Sequence, residues 1–273
     1  MLREMTLGQY YPGNSILHRL DPRVKLLGTL VYMVAVFLAE DVTGYALGAA
    51  FLAAMIICSR IPLGFMLKGL KPVLVILIFS VVFNLFLTDG EVLVSVWKIT
   101  ITREGIWRAA FMAMRLICLI LGAALMTYTT TPNQLTDGIE KGLGFLSYIR
   151  IPVHEIAMMM SIALRFIPIL NEELDKIMKA QMARGADFES GSFLRRAKAL
   201  VPLLIPLFVS AFRRASDLAN AMEARCYHGG RGRTRMHPLR YAGRDIAAYL
   251  IIAAFLAGMI LLKIYAPLAY LSA

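Results

Sequence analysis

A chain of 273 residues is long enough for one or two soluble domains, but 59% hydrophobic residues and a mean hydropathy of +0.66 stand well above the roughly 45 to 50% apolar usage of soluble domains. Composition therefore excludes a soluble protein and predicts an all-α polytopic membrane protein with about five transmembrane helices. The net charge of +11 would suggest nucleic acid in a soluble chain; in a membrane protein Lys and Arg gather in the loops of one side, and with no recognition motif in the sequence no nucleic-acid partner is expected.

In chain order, residues 1–25 are polar and basic, with no apolar stretch directly after the first charges and no small-residue cleavage site, so no removable signal peptide is expected. Asp21-Pro22-Arg23 reads as a helix start: a carboxylate caps free N–H groups and proline costs nothing at the first helical position. Four spans follow in the N-terminal region 1–132, at about 24–39, 42–59, 72–88 and 106–130. Arg23 and Lys25 would snorkel to the interface. Glu40 and Asp41 mark the first loop, residues 60–71 a loop holding Arg60, Lys68 and Lys71, and residues 89–105 a mixed-charge loop with Trp97 and Trp107 near its ends. Gly44 and Gly48 would offer a close approach to another helix. Arg115 lies inside the fourth span and is either a snorkelling end residue or an internal contact.

Thr131-Pro132-Asn133 breaks the helix, and from there to residue 244 no clean uncharged stretch of spanning length recurs; a further span near residues 194–212 is disfavoured by Arg195, Arg196, Lys198, Arg213 and Arg214. The region 133–244 is nevertheless rich in apolar residues at helical spacing, predicting amphipathic helices on the membrane surface or packed on other helices. Residues 245–273 form the C-terminal transmembrane region. The N-terminus carries four Lys and Arg, the 60–71 loop three, and residues 137–245 carry 17 of the chain's 29. With five spans, these fall on one side, which places the N-terminus and the insert in the cytoplasm and the C-terminus outside the cell membrane. The five arginines between 231 and 244 read as a basic cluster beside lipid head groups.

Within the insert two helices end alike, on Ala183-Arg184-Gly185 and Ala224-Arg225-Cys226, their arginines 41 residues apart. The first shows Leu174, Ile177, Met178 and Met182 on one stripe; the second begins after Pro206 and shows Phe208, Phe212, Ala215, Ala219 and Met222. Pro168, Pro202 and Pro206 would divide each region into a hydrophobic and an amphipathic part. Each arginine could simply favour its own helix end, worth roughly 0.3 to 1 kcal/mol. As a pair with small neighbours they read instead as projecting plugs, able to enter a groove and bond a carboxylate with both guanidinium arms.

At these residues the chain resembles the transmembrane T component of energy-coupling factor (ECF) transporters, the EcfT/CbiQ family. The resemblance rests on LHRLDPRVKL (17–26), SIALRFIPIL (161–170, with Arg165 and Pro168), QMARGADF (181–188) and AMEARCYHGG (221–230). It implies that the two helices are cytoplasmic coupling helices whose Ala-Arg-Gly ends dock into two ABC-type ATPases, identical or different. A separate membrane S component would bind a vitamin or a metal ion such as cobalt or nickel. Ala183, Arg184 and Gly185 match the motif; Ala224 and Arg225 match it, with Cys226 where the family has glycine. Asp21, Pro22, Arg23, Arg115, Arg165 and Pro168 are structural or interface candidates. The implied protein is a scaffold and transducer within the lipid bilayer, without catalytic residues, cofactor or metal.

Other functions lack residues to carry them. No G-x-x-x-x-G-K-[ST] loop occurs, and Gly64 to Gly69 only echoes one; H-E-x-x-H and G-x-S-x-G are absent. Cys226 with His228 is a weak metal hint that ordinary loop residues explain. A stand-alone channel or secondary transporter, the alternative, needs polar groups at mid-span, where Asn84 is a lone candidate.

Overall fold

The computed structural model describes residues 10–39, 41–88, 91–96, 99–188, 192–229 and 238–271, and within these not the side chains of 92–96, 99–101, 146–147, 193–197 and 266–271. Glu40, Trp97 and the arginines at 231, 233 and 235 therefore lie outside the described residues. The protein is a polytopic helical membrane protein whose described residues form two units, one of residues 1–138 and 239–273, the other of residues 139–238.

The first unit holds α1 (Pro22–Leu38), α2 (Val42–Ser59), α3 (Leu63–Leu70), α4 (Leu74–Leu87), a hairpin of β1 (Val92–Val96) and β2 (Ile99–Thr102), α5 (Arg103–Thr129) and α9 (Gly243–Leu271). Helix α1 starts as expected: Asp21 is the N-cap, its carboxylate accepts the Arg23 N–H, and Pro22 opens the first turn. The expected 60–71 loop is mostly α3, which continues through a turn of 3-10 helix at Lys71–Val73 into α4. Proline at the second position of that short turn removes an N–H that needs no partner there, so the chain stays helical from Leu63 to Leu87. The expected 89–105 loop is in part the β-hairpin.

Packing is close where residues are small. A Cβ on Gly122 of α5 would lie 2.7 Å from the Tyr32 ring of α1, so only glycine lets these helices meet there. Gly44 and Gly48 are likewise buried against α1, not offered to another molecule. Tyr32, Phe51 and Phe255 stack at the centre. Contacts along α1 fix the helix directions. Asp21 meets Asp245 and Gly28 meets Ile252, so α1 and α9 are parallel. Lys25 meets Thr129 and Tyr32 meets Gly122, so α5 is antiparallel to both. The starts of α1 and α9, the end of α5 and the α3 residue Phe65 share one end of the unit, where Tyr11 donates its N–H to Tyr128 O at 3.0 Å. The chain also leaves and re-enters the unit there, since Gly138 lies against Pro22 and Tyr241 lies under the Arg23 guanidinium.

Neither Arg23 nor Lys25 snorkels. Arg23 grips the Asp21 carboxylate with two bonds of 3.0 Å, and buried Lys25 donates from Nζ to the carbonyls of His18 and Thr129. These partners satisfy the charges more closely than the interface would.

The second unit holds the rest of α6 (Pro132–Gly142), α7 (Val153–Ala183) and α8 (Phe193–Ala224). Both long helices run through their prolines, Pro168 in α7 and Pro202 and Pro206 in α8. The prolines therefore do not divide them, and the second does not begin at Pro206: a helix of about thirty residues keeps enough other backbone bonds to carry one or two lost ones. Among the described residues, six helical stretches are long and apolar enough to cross a membrane: α2, α3 with α4, α5, α7, the 198–224 part of α8, and α9. The last two before α9 are expected to lack any such window, yet each holds an apolar 18-residue window with two charges at most. Helix α1, with 17 residues, is just shorter than that measure.

Candidate functional site

The ends of α7 and α8 are built alike, bond for bond. At the end of α7 the Ala186 N–H donates to Gln181 O and the Gly185 N–H to Met182 O, both at 3.0 Å. At the end of α8 the Tyr227 N–H donates to Met222 O at 3.1 Å and the Cys226 N–H to Glu223 O at 2.8 Å. This is the same six-residue C-terminal cap, displaced by 41 positions. It requires a left-handed residue after the arginine: Gly185 has φ +88° and Cys226 has φ +53°. Cysteine in place of glycine thus keeps the cap, at a strain of roughly 1 kcal/mol.

Arg184 and Arg225 are the last residues before that reversal, and both are exposed. Neither guanidinium has a hydrogen-bond or ion-pair partner among the described residues. The alanines before them, Ala183 and Ala224, are exposed too, so nothing larger flanks either arginine on its helix.

Sequence reasoning missed the contact between the two helices. Arg214 of α8 donates from Nη2 to Glu173 of α7 at 3.0 Å. Glu173 precedes Arg184 by eleven residues and Arg214 precedes Arg225 by eleven, so each plug stands about 16 Å along its helix from the shared contact, at about 1.5 Å per residue. A signal was present: the pair repeats the 41-residue offset of the two arginines. On α7 Leu174, Ile177 and Met178 are half-buried as expected, whereas Met182, expected on the same stripe, is exposed. The stripe on α8 departs further. Its covered face is Leu203, Leu207, Arg214, Leu218 and Met222, while Phe208 and Phe212 are 60% and 74% exposed. Two apolar stripes share the helix, and the covered one carries Arg214, which meets Glu173.

Arg165 and Pro168 lie one turn apart on α7, both exposed, and Arg165 has no polar partner among the described residues. Asp21, Pro22 and Arg23 belong to the first unit, in a polar latch that also contains Asp245, which sequence reasoning passed over. Asp245, 1% exposed, accepts the Asp21 N–H at 2.9 Å and the Ala242 N–H at 2.8 Å, capping α9 while tying it to α1. Arg115 is an internal contact. Its Nη2 donates to Ala39 O at 3.1 Å between α1 and α2, and its guanidinium lies 5.8 and 5.7 Å from the ring centres of Phe37 and Tyr45. The mid-span Asn84 bonds the Ser80 carbonyl of its own helix at 2.8 Å, not another helix. Among the described residues no group of three His, Cys, Asp or Glu could hold a metal ion.

Comparison with known proteins agrees with this architecture. Residues 13–237 match the family CbiQ, described as cobalt transport protein. The energy-coupling factor transporter transmembrane protein EcfT of Thermosediminibacter oceani is 54% identical over 260 residues, covering 95% of this chain and 98% of that protein. The EcfT proteins of Ruminiclostridium cellulolyticum and Bacillus subtilis are 53% and 47% identical, covering 96% and 94% of this chain and 98% of each relative. The chain belongs to the EcfT/CbiQ family, the transmembrane components of energy-coupling factor transporters.

Proposed function

We propose that this transporter component is a scaffold and transducer with no chemistry of its own. Two ABC-type ATPase partners hold Arg184 and Arg225, and a separate S component in the membrane binds the vitamin or metal ion to be imported. The observation that carries the reading is the pair of matching helix caps, each presenting an exposed arginine without a partner among the described residues. A guanidinium so placed offers a groove carboxylate two charge-assisted bonds, worth roughly 1.5 to 3 kcal/mol apiece.

Because both plugs stand the same distance along their helices from the Glu173–Arg214 contact, a closing movement of the two ATPases reaches that contact through arms of equal length. Force applied at the caps is passed along α7 and α8, whose other exposed residues include the apolar row Ile205, Phe208, Val209 and Phe212. That row is the surface offered to the S component. The basic end of the first unit, where Arg23, Lys25 and the ends of the insert gather, faces the cytoplasm.

The test is the double variant Arg184→Ala with Arg225→Ala in transporter reconstituted with all its partners. Uptake is expected to fall at least tenfold while the chain inserts in membranes at normal levels and ATP hydrolysis no longer tracks substrate. Unaltered uptake would sink the reading, as would transport by the chain alone in liposomes.

A further inference from the structure

A cavity of about 340 Å³ opens inside the first unit, enclosed by α1, α2, α5, α9 and the turn before α1. Its walls include Val24, Leu52, Met55, Leu125, Ala248 and Ile251. The polar groups in the lining are already committed within the protein. The Lys25 ammonium serves the His18 and Thr129 carbonyls, and the hydroxyls of Thr29, Tyr32 and Thr129 donate to the carbonyls of Lys25, Gly48 and Leu125. Apart from the weakly polar Cys58 thiol and the Arg244 guanidinium at one end, the wall offers a guest only hydrocarbon. A polar solute would lose its water there without replacement, so the space suits an alkyl chain. A 150 Å³ apolar cavity holds benzene, so one of this size takes a chain segment of roughly a dozen carbons.

The other feature of the lining is its charge. Among the described residues, the charged ones on it are Lys25 and Arg244, both cationic and both in the first turn of their helices, at the same end of the unit. Lys25 is bonded internally. Arg244 is exposed, and its guanidinium has no partner among the described residues. From that end the cavity reaches Tyr32, seven residues and about 10 Å farther along α1. An apolar slot of that depth with the uncommitted Arg244 guanidinium at the mouth matches the two parts of one molecule.

We propose that the cavity holds one acyl chain of an anionic phospholipid whose phosphate group is bonded by Arg244. The site follows from the membrane unit alone and does not depend on the transducer reading. Charge selects the guest, since a zwitterionic lipid brings its own cation to the mouth and offers Arg244 less. The bound lipid fills the space where α1, α2, α5 and α9 leave one another, and so completes their packing.

Native mass spectrometry of the full chain, delipidated in neutral detergent and titrated with phosphatidylglycerol or phosphatidylcholine of identical acyl chains, tests this. One tightly held phosphatidylglycerol per chain is expected, preferred about tenfold over phosphatidylcholine. Ala248→Phe, which fills the slot, should abolish tight binding of both lipids. Arg244→Gln should remove the preference and leave the weaker binding. A thermal scan of each variant in detergent reports whether it is folded. Equal retention of the two lipids by the unaltered chain, or an undiminished tight lipid in folded Ala248→Phe or an undiminished preference in folded Arg244→Gln, overturns the proposal.

Discussion

Arg214 and Glu173 meet at 3.0 Å, and each stands eleven residues before the arginine that ends its own helix. The side chains are 38% and 28% exposed, so the pair is screened and worth roughly 0.2 to 1 kcal/mol as a stabilising contact. Its importance lies in register. Glu173→Gln is expected to shift the melting temperature of the assembled transporter little and to lower uptake per ATP hydrolysed two- to fivefold. Exchanging the charges, Glu173→Arg with Arg214→Glu, should restore most of that ratio. Uptake and hydrolysis measured together on the same vesicles decide it; a swap no better than the single variant means that the pair sets no register.

Cys226 occupies a left-handed position that glycine takes without strain. Cys226→Gly should therefore stabilise the α8 cap by about 1 kcal/mol and leave transport unchanged, whereas Cys226→Val should cost at least as much and weaken assembly. Thermal stability of the purified complex, with co-purification of the ATPases, reads both. Equal stability of the three proteins would contradict the strain.

Asp245 accepts two backbone N–H groups in a place almost closed to solvent. Asp245→Ala leaves both unpaired, at about 1–3 kcal/mol each, and should lower the melting temperature of the chain in detergent by several degrees. Asp245→Asn keeps one acceptor oxygen and should lose less. The order Asp, Asn, Ala in a thermal scan is the expected result, and an unaffected Ala variant would refute it.

For Arg115 the expectation runs the other way. Its Nε is buried without a partner among the described residues, so Arg115→Met removes that donor together with the bond to Ala39 O while keeping the stem between Phe37 and Tyr45. The change should cost less than about 1 kcal/mol, whereas Arg115→Ala, which also empties that space, should cost 2 or more. Unfolding of the two variants in detergent separates packing from charge.

Much of the membrane unit could be read from the chain, because a bilayer demands long apolar helices and Asp21-Pro22 announces a helix start. The matching ends of α7 and α8 were legible for a related reason: Ala-Arg followed by a small residue is local cap chemistry. What escaped depends on partners in space. Lys68 and Lys71 looked like a loop until α3 was seen to continue into α4. Pro202 and Pro206 looked like breaks, yet the neighbouring turns of α8 hold the helix through them. Phe208 and Phe212 share a stripe at helical spacing, which predicts a covered face, yet both are exposed. In a membrane protein the most apolar face need not be the inner one, and here the covered face of α8 is the one that carries the Arg214–Glu173 pair.

The latch between Asp21 and Asp245 joins residues 224 positions apart, the first helix of the chain to its last. A ribosome delivers α1 long before α9 exists. Through most of synthesis the Asp21 N–H has no acceptor from Asp245, the aromatic stack lacks Phe255, and one wall of the lipid-sized cavity is missing. The membrane unit is thus closed only by the final stretch of translation, and a chain cut short before residue 243 keeps the contacts of α1 with α5 but lacks the helix that closes the unit.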